Sequence, residues 1–378
     1  MSSVIRNDSG TNRPYRPNKA SRPALGKEFV PASERRVRTV PVTVLVPAFN
    51  EGATIEDTLI SLLTQSVAPA EILVIDDCSI DDTALVAERL GVRVVRPVRN
   101  TGSKAGAQSF ALRYVGTPFV MAIDADTTLA SDAIERLMPA FDDPDVVAAC
   151  GSVIPRRIRS VWERGRYVEY LFAFTFYKRV QEAWGAPLIA SGCFSIYRAG
   201  ALRAVGGWPT RTLAEDMDLT WTFYEGGAKV RFIPEAVSYP IEPHNLHFLG
   251  RQLKRWSHGF VQNVRLHRKG ILAVPFLRQS VAVAFWDAVI AAAAYLFVLP
   301  LLALALGNPW LLMGYIIDVP AVAVPVLAGA AQRRELRRAL FSLPAFFVLR
   351  TVNAVYFLRA VWLELVMKRP FTTYEKGH

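Results

Sequence analysis

The chain has 378 residues, 52% of them hydrophobic and 20% charged, with a formal net charge of +11. That length holds one globular domain of about 200–250 residues plus an appendage. The apolar fraction tilts toward a membrane protein, and the basic charge comes without base-reading or stacking motifs, which excludes nucleic acid as a partner.

Residues 1–40 carry nine Lys or Arg and three Asp or Glu, without periodicity. They predict a disordered basic tail resting on anionic lipid headgroups. The tail has no apolar core segment, so it reads as neither a secretory signal nor a first transmembrane helix, and the folded part is expected in the cytosol. Residues 41–240 predict a cytosolic α/β domain. A β-branched strand at 42–46 leads through PAFNEG into a helix whose Ile55, Leu59, Leu62 and Leu63 share one face. EILVIDD is a second strand ending in acids, followed by a helix at 82–90 and strands at 92–95 and 119–123. Strands alternating with helices predict a mostly parallel sheet covered on both faces, with ligands beyond the strands' carboxyl ends. A dinucleotide-binding fold is excluded, because the first strand runs into PAFNEG and not GxGxxG.

Residues 241–278 change character. Leu246, Leu249, Leu253, Trp256, Phe260 and Val264 fall on one helical face, with basic residues on the others. This is the pattern of an amphipathic helix in the membrane interface. Residues 279–367 predict two or three spans, with 281–306 and 310–331 as the first two. The arginines of QRRELRR place the following loop on the cytosolic side. Residues 339–367, interrupted by Pro344, Arg350, Arg359 and Glu364, predict a third span in preference to a pair of interfacial helices, and 368–378 form a tail. Asp287 and Asp318 fall within predicted spans, Asp318 with Arg350 or Arg359 as partner. Cys78, Cys150 and Cys193 are widely spaced and expected to be reduced thiols. Four histidines between His244 and His267 are spaced irregularly, favouring interfacial side chains over a metal site.

Four elements carry chemistry. Asp76 and Asp77 end the second strand, where carboxylates accept hydrogen bonds from a base or a ribose; the same DDCS sequence also suits a helix N-cap. Asp124 and Asp126, two residues apart after an apolar strand, suit Mg2+ or Mn2+ shared with phosphates, or simply an Asp-rich turn. Glu215, Asp216 and Asp218 crowd one short segment, where one acid could serve as a general base or all could begin a solvated helix. In NTGSKAGA, small residues admit a ligand close to the backbone and Lys104 offers charge to a phosphate.

In order, the chain reads VPAFNE, DDCS, NTGSKAG, DAD, SGCFSIYR, AED and QLKRW. Over about residues 40–270 this resembles the family 2 glycosyltransferases of GT-A fold, specifically the processive membrane-embedded branch that includes cellulose, chitin and hyaluronan synthases. The resemblance implies an inverting transfer of a hexose or N-acetylhexosamine from a UDP-sugar to a carbohydrate acceptor. It implies that Asp76 and Asp77 bind the nucleoside, that Lys104 and Asp124 lie on the nucleotide sugar, and that Asp124 and Asp126 hold the metal. Asp216 then matches the general base, with Glu215 beside it, although alanine replaces the motif's threonine at 214. Gln252, Arg255 and Trp256 match QxxRW, which meets the diphosphate and the acceptor sugar. The few spans depart from the polymer synthases, so secretion implies a homo-oligomer, a partner, or no translocation, and a non-processive enzyme acting on a lipid or protein is the alternative.

Overall fold

The computed structural model describes residues 38–183 and 187–371, which leaves the basic tail and most of the C-terminal tail outside the described residues. Eight strands form one sheet: β1 (Thr39–Ala48), β2 (Ala68–Asp76), β3 (Arg93–Val95), β4 (Phe119–Ile123), β5 (Thr128–Leu129), β6 (Val146–Val153), β7 (Phe194–Arg198) and β8 (Lys229–Tyr239). Their order is β3-β2-β1-β4-β7-β6-β8-β5.

The half that the sequence outlined, β3-β2-β1-β4, is wholly parallel. Beyond it the sheet becomes mixed, because β7 runs antiparallel to both β4 and β6. Strand β1 shows why both faces are covered. Val44 and Val46 point to a core shared with Ile55, Leu59 and Leu62 of α1 (Ile55–Leu63), whereas Leu45 points to the opposite core. Residues alternate between faces along a strand, so a continuous apolar run requires a helix on each side. Helices α2 (Thr83–Arg89) and α3 (Lys104–Ala111) follow β2 and β3, and α3 buries Ala105, Ala107 and Ala111 in the Leu45 core.

Three further helices frame the C-terminal side of the domain. These are α4 (Val161–Phe172), begun by a reciprocal Ser160–Glu163 capping box, α5 (Glu215–Glu225), and α6 (Leu246–Leu266), capped by Asn245. Among the described residues, three helices are long and apolar enough to cross a membrane: α7 (Pro275–Ala305), α8 (Pro309–Gln332) and α9 (Leu336–Val366).

The packing of α9 differs from that of the other two. In its most apolar window 28% of residues are buried, against 11% and 12% for α7 and α8. Leu349 joins Leu249 and Leu253 of α6 in one cluster, and Ala339 packs with Tyr167 and Val168 of α4. Gly165 lies so close to Leu349 that an added Cβ would stand 2.9 Å from the leucine's Cβ. The apolar stripe of α6 is therefore covered in large part by α9 of the same chain. Amphipathic periodicity specifies that a face is buried without specifying what buries it.

The expectation for two of the histidines changes in the same way. His258 and His267 are buried beside carboxylates and do not lie in an exposed interface. Arg350 donates to Asp287 at 3.1 Å, which gives that acid a partner, whereas the side chain of Asp318 lies outside the described residues. The three cysteines are free thiols, Cys150 buried and the others half-buried.

Candidate active site

The loops after β1 and β2 clasp each other at the carboxyl edge of the sheet. Asn50, at φ 55°, accepts from the amide of Ile80 at 2.9 Å, and its own amide donates to the Ser79 hydroxyl at 2.9 Å. Asp76 is buried and accepts from the Ser79 amide at 2.8 Å, with Arg96 at 3.3 Å from its other oxygen. Asp77 accepts from both the amide and the hydroxyl of Thr101, at 2.8 and 2.9 Å. Asp77 thus fastens the Gly/Lys loop to the end of β2, while Asp76 fixes the turn that follows the strand. In this arrangement their carboxylates do structural work.

That loop delivers Lys104 to the first position of α3. Its ammonium group pairs with Asp124 and donates to the carbonyl of Gly192 at 2.8 Å. The amide of the same Gly192 donates to Asp216 Oδ2 at 2.9 Å. A Cβ at residue 192 would stand 3.1 Å from that oxygen, so glycine permits the close approach. Asp124, Lys104, Gly192 and Asp216 consequently form one connected line, although they come from four separate segments.

Asp124 and Asp126 are both half-buried at the end of β4, while Ala125 between them is buried and its carbonyl accepts from Thr58 at 2.8 Å. Mg2+ or Mn2+ takes one or two protein carboxylate oxygens and completes its shell from phosphate and water, a demand that half-buried carboxylates of this kind suit. Cys193 sits beside Asp124, and burial, reinforced by that charge, pushes its thiol up, so it stays protonated.

The acids at the start of α5 have three distinct environments. Glu215 is buried, and burial raises its pKa, helped by Asp216 and opposed by the charges of Lys104 and Arg255. Asp216 is half-buried and is the acid of this segment tied to Gly192. Asp218 is fully buried. Burial works to raise its pKa, but hydrogen bonds from Arg211, at 2.9 and 2.7 Å, and from His267 lower it on balance. Asp218 is therefore a structural anchor.

The QxxRW residues reach the site through α6. Gly259 packs against Ala214 so tightly that an added Cβ would lie 2.7 Å from the alanine's Cβ, and Asn263 donates to the carbonyl of Ala214 at 3.1 Å. This docking brings Arg255 close enough for its charge to act on Glu215. Gln252 and Trp256 meet Arg166, a residue that the sequence did not single out. Its guanidinium, wholly buried, donates to Gln252 Oε1 at 2.7 Å, lies over the Trp256 ring at 4.6 Å and pairs with Glu169. Glu242, also buried, stands 3.7 Å from Arg166 and accepts from the Tyr170 hydroxyl at 2.8 Å. The available signal was a charged Arg166 directly before the apolar Tyr167, Val168 and Leu171 of one helix.

A mixed sheet in this strand order, covered by helices on both faces, is an α/β domain of GT-A type. Residues 43–206 match the family model for glycosyl transferase family 2. The chain is 29% identical over 222 residues to poly-beta-1,6-N-acetyl-D-glucosamine synthase of Staphylococcus aureus, a stretch comprising 58% of this chain and 54% of that protein. The enzyme of the same description from Staphylococcus epidermidis matches at 29% over 223 residues, with the same coverage. The chain spans about half the length of these curated relatives. Among solved structures, a mannosyltransferase from Pyrobaculum calidifontis, in complex with GDP-mannose and Mn2+, superposes with a TM-score of 0.57 at 22% identity. That superposition covers 90% of each chain and establishes the shared fold.

Proposed function

We propose that this chain is a membrane-bound inverting glycosyltransferase that moves a hexose or N-acetylhexosamine from a UDP-sugar to a growing polysaccharide. The observation that carries the reading is the line Asp124–Lys104–Gly192–Asp216, which joins a diphosphate-suited lysine and acid to a half-buried carboxylate through two hydrogen bonds at one glycine. The staphylococcal relatives support a polysaccharide product.

In this mechanism Asp216 takes the proton of the acceptor hydroxyl as its oxygen attacks the anomeric carbon. The bond to the diphosphate breaks, and the nucleotide leaves with its electron pair. Lys104 neutralises charge on the departing phosphates, and Arg255, whose charge also acts on Glu215, adds to it. Asp124 and Asp126 would hold a divalent cation, which supplies Lewis-acid stabilisation of the same leaving group. Trp256, braced by Arg166, offers a ring face to the acceptor sugar.

The reading places the domain in the cytosol, with α7 and α8 as a hairpin across the membrane and α9 along the interface. The placement of α9 rests on both of its ends. Glu335, just ahead of it, accepts from Tyr167 of α4 at 3.0 Å, and Glu364 near its end lies 2.8 Å from His258 of α6. A second reading is transfer of a single sugar to a lipid acceptor, for which the apolar helices among the described residues would hold the site at the bilayer.

The test uses the purified full chain in detergent with radiolabelled UDP-N-acetylglucosamine, UDP-glucose or GDP-mannose, each with Mn2+, Mg2+ or EDTA. Long products from a UDP-sugar, lost in EDTA and reduced about 10²–10⁴-fold by Asp216→Asn, are expected. Single-sugar products would establish the second reading. Turnover of GDP-mannose alone would overturn the UDP assignment, and no turnover of any donor would overturn the whole proposal.

A further inference from the structure

The turn between α8 and α9 lies against the beginning of α4 and encloses an open cavity of about 720 Å³. Arg164 from α4 and Arg334, Arg337 and Arg338 from the turn and the first residues of α9 line it, with Ile158 and Phe341 as apolar walls. None of these residues belongs to the site described above.

The charge in this cavity is unbalanced. Glu335 is the single acid in the lining, and it is occupied by Arg338 at 2.7 Å, by Arg333 at 3.6 Å and by the Tyr167 hydroxyl at 3.0 Å. Among the described residues, no carboxylate lies within 4.0 Å of the guanidinium groups of Arg164, Arg334 or Arg337. Arg334 also adopts φ 59° in the turn, a conformation that glycine takes at no steric cost, yet the position carries a cation. No side chain caps the N-terminus of α9, so the first amides of a long helix add to the positive potential.

We propose that this cavity binds the phosphate-bearing headgroup of an anionic membrane lipid. Three features choose a lipid over a soluble anion. The cavity sits where two long apolar helices meet, so a phosphate held there has hydrocarbon beside it. Phe341, 66% exposed, and Leu336, 44% exposed, continue the apolar surface of α9 outward from the arginines. Arginine forks also match phosphate oxygens in a bidentate way, which a diffuse basic surface does not. The bound headgroup would hold the start of α9 against α4, the helix that carries Arg166.

The experiment titrates the full chain in detergent with short-chain phosphatidylglycerol, short-chain phosphatidylcholine and inorganic phosphate, and reads binding by native mass spectrometry. Saturable binding of phosphatidylglycerol is expected, at least tenfold weaker in Arg334→Gln/Arg337→Gln/Arg338→Gln and weakened in Arg164→Gln, which alters only the opposite wall. Binding should fall as salt rises. Arg89→Gln, which removes a charge from α2, should bind as the unaltered chain does, and unfolding temperatures identify any variant that loses its fold. Equal binding of phosphatidylcholine, unchanged binding in both cavity variants, or inorganic phosphate displacing the lipid at equal concentration would each overturn the assignment. None of these readouts requires a sugar donor, so failure here is separate from failure of the transferase reading.

Discussion

Two acids two residues apart in α5 have different partners, and those partners divide the segment's work. Asp216 is half-buried and accepts from the Gly192 amide, whereas Asp218 is consumed by Arg211 and His267. His267 is held between two carboxylates, with Asp218 at 2.9 Å and Glu225 at 3.0 Å on its two nitrogens. Burial would lower its pKa, but these hydrogen bonds and charges raise it above the ordinary 6.5. A raised folded-state pKa means that the stabilisation is complete below 6.5 and is lost as pH climbs through the folded value. Thermal unfolding between about pH 6 and 9 should therefore show a decline in the unaltered chain that His267→Gln flattens. Identical pH slopes in the two proteins would remove His267 from this role. The pairing was not legible in the sequence, because 49 positions separate His267 from Asp218 and only the packing of α5 against the end of α6 brings them together.

At the level of elements, α6 docks on α5 through small residues. Alanine at 214, where the family motif has threonine, meets Gly259, and the two backbones approach closely because neither residue has bulk. Gly259→Ala places a methyl 2.7 Å from the Ala214 Cβ and 2.8 Å from its amide nitrogen, neither of which can swing away. Overpacking of this kind costs about 1–3 kcal/mol. The expected result is a lower unfolding temperature together with slower transfer, since Glu215 and Asp216 follow directly; a neutral variant would disprove the close approach. Helix α4 braces α6 from the other side through Arg166. Arg166→Met leaves Glu242 and Glu169 without their cation, a loss of about 3–5 kcal/mol for a buried pair. Arg166→Lys keeps the charge but loses the planar fork, so the Gln252 contact and the Trp256 stack weaken. In that variant the KM for acceptor should rise while the KM for donor stays constant, a split that a purely structural role would not produce.

Over the whole molecule, the direction of α9 decides where the chain ends. The helix runs 31 residues, about 46 Å, from Tyr167 of α4 to His258 and Gln262 of α6. Asn353 donates to Glu169 on the way, and Phe357 packs edge-on against Phe260. On the proposed cytosolic placement of the domain, a helix held along its length by that domain would return residue 371 to the same side. A C-terminal green fluorescent protein fusion should then fluoresce, and an alkaline phosphatase fusion should be inactive. The opposite pattern would make α9 a third crossing.

Strand and helix alternation, the acids at the strand ends and the long apolar segments were all legible in the sequence, because each depends on local periodicity or on a short motif. Apolar runs such as 72–75 require cover on both faces, and a parallel sheet with α1 and α3 on opposite sides follows. The sequence could not determine that β7 runs antiparallel, since strand direction depends on the path of the connection before it. It named Asp76, Asp77, Lys104, Asp124 and Asp216 without revealing that the first two secure two different loops while the other three share one line of contacts. Only the tertiary structure set Arg166 beneath Gln252 and Trp256 and laid α9 across α4 and α6. Periodicity records that a face is apolar. Whether lipid or another helix of the same chain covers it is decided by contacts between residues a hundred positions apart.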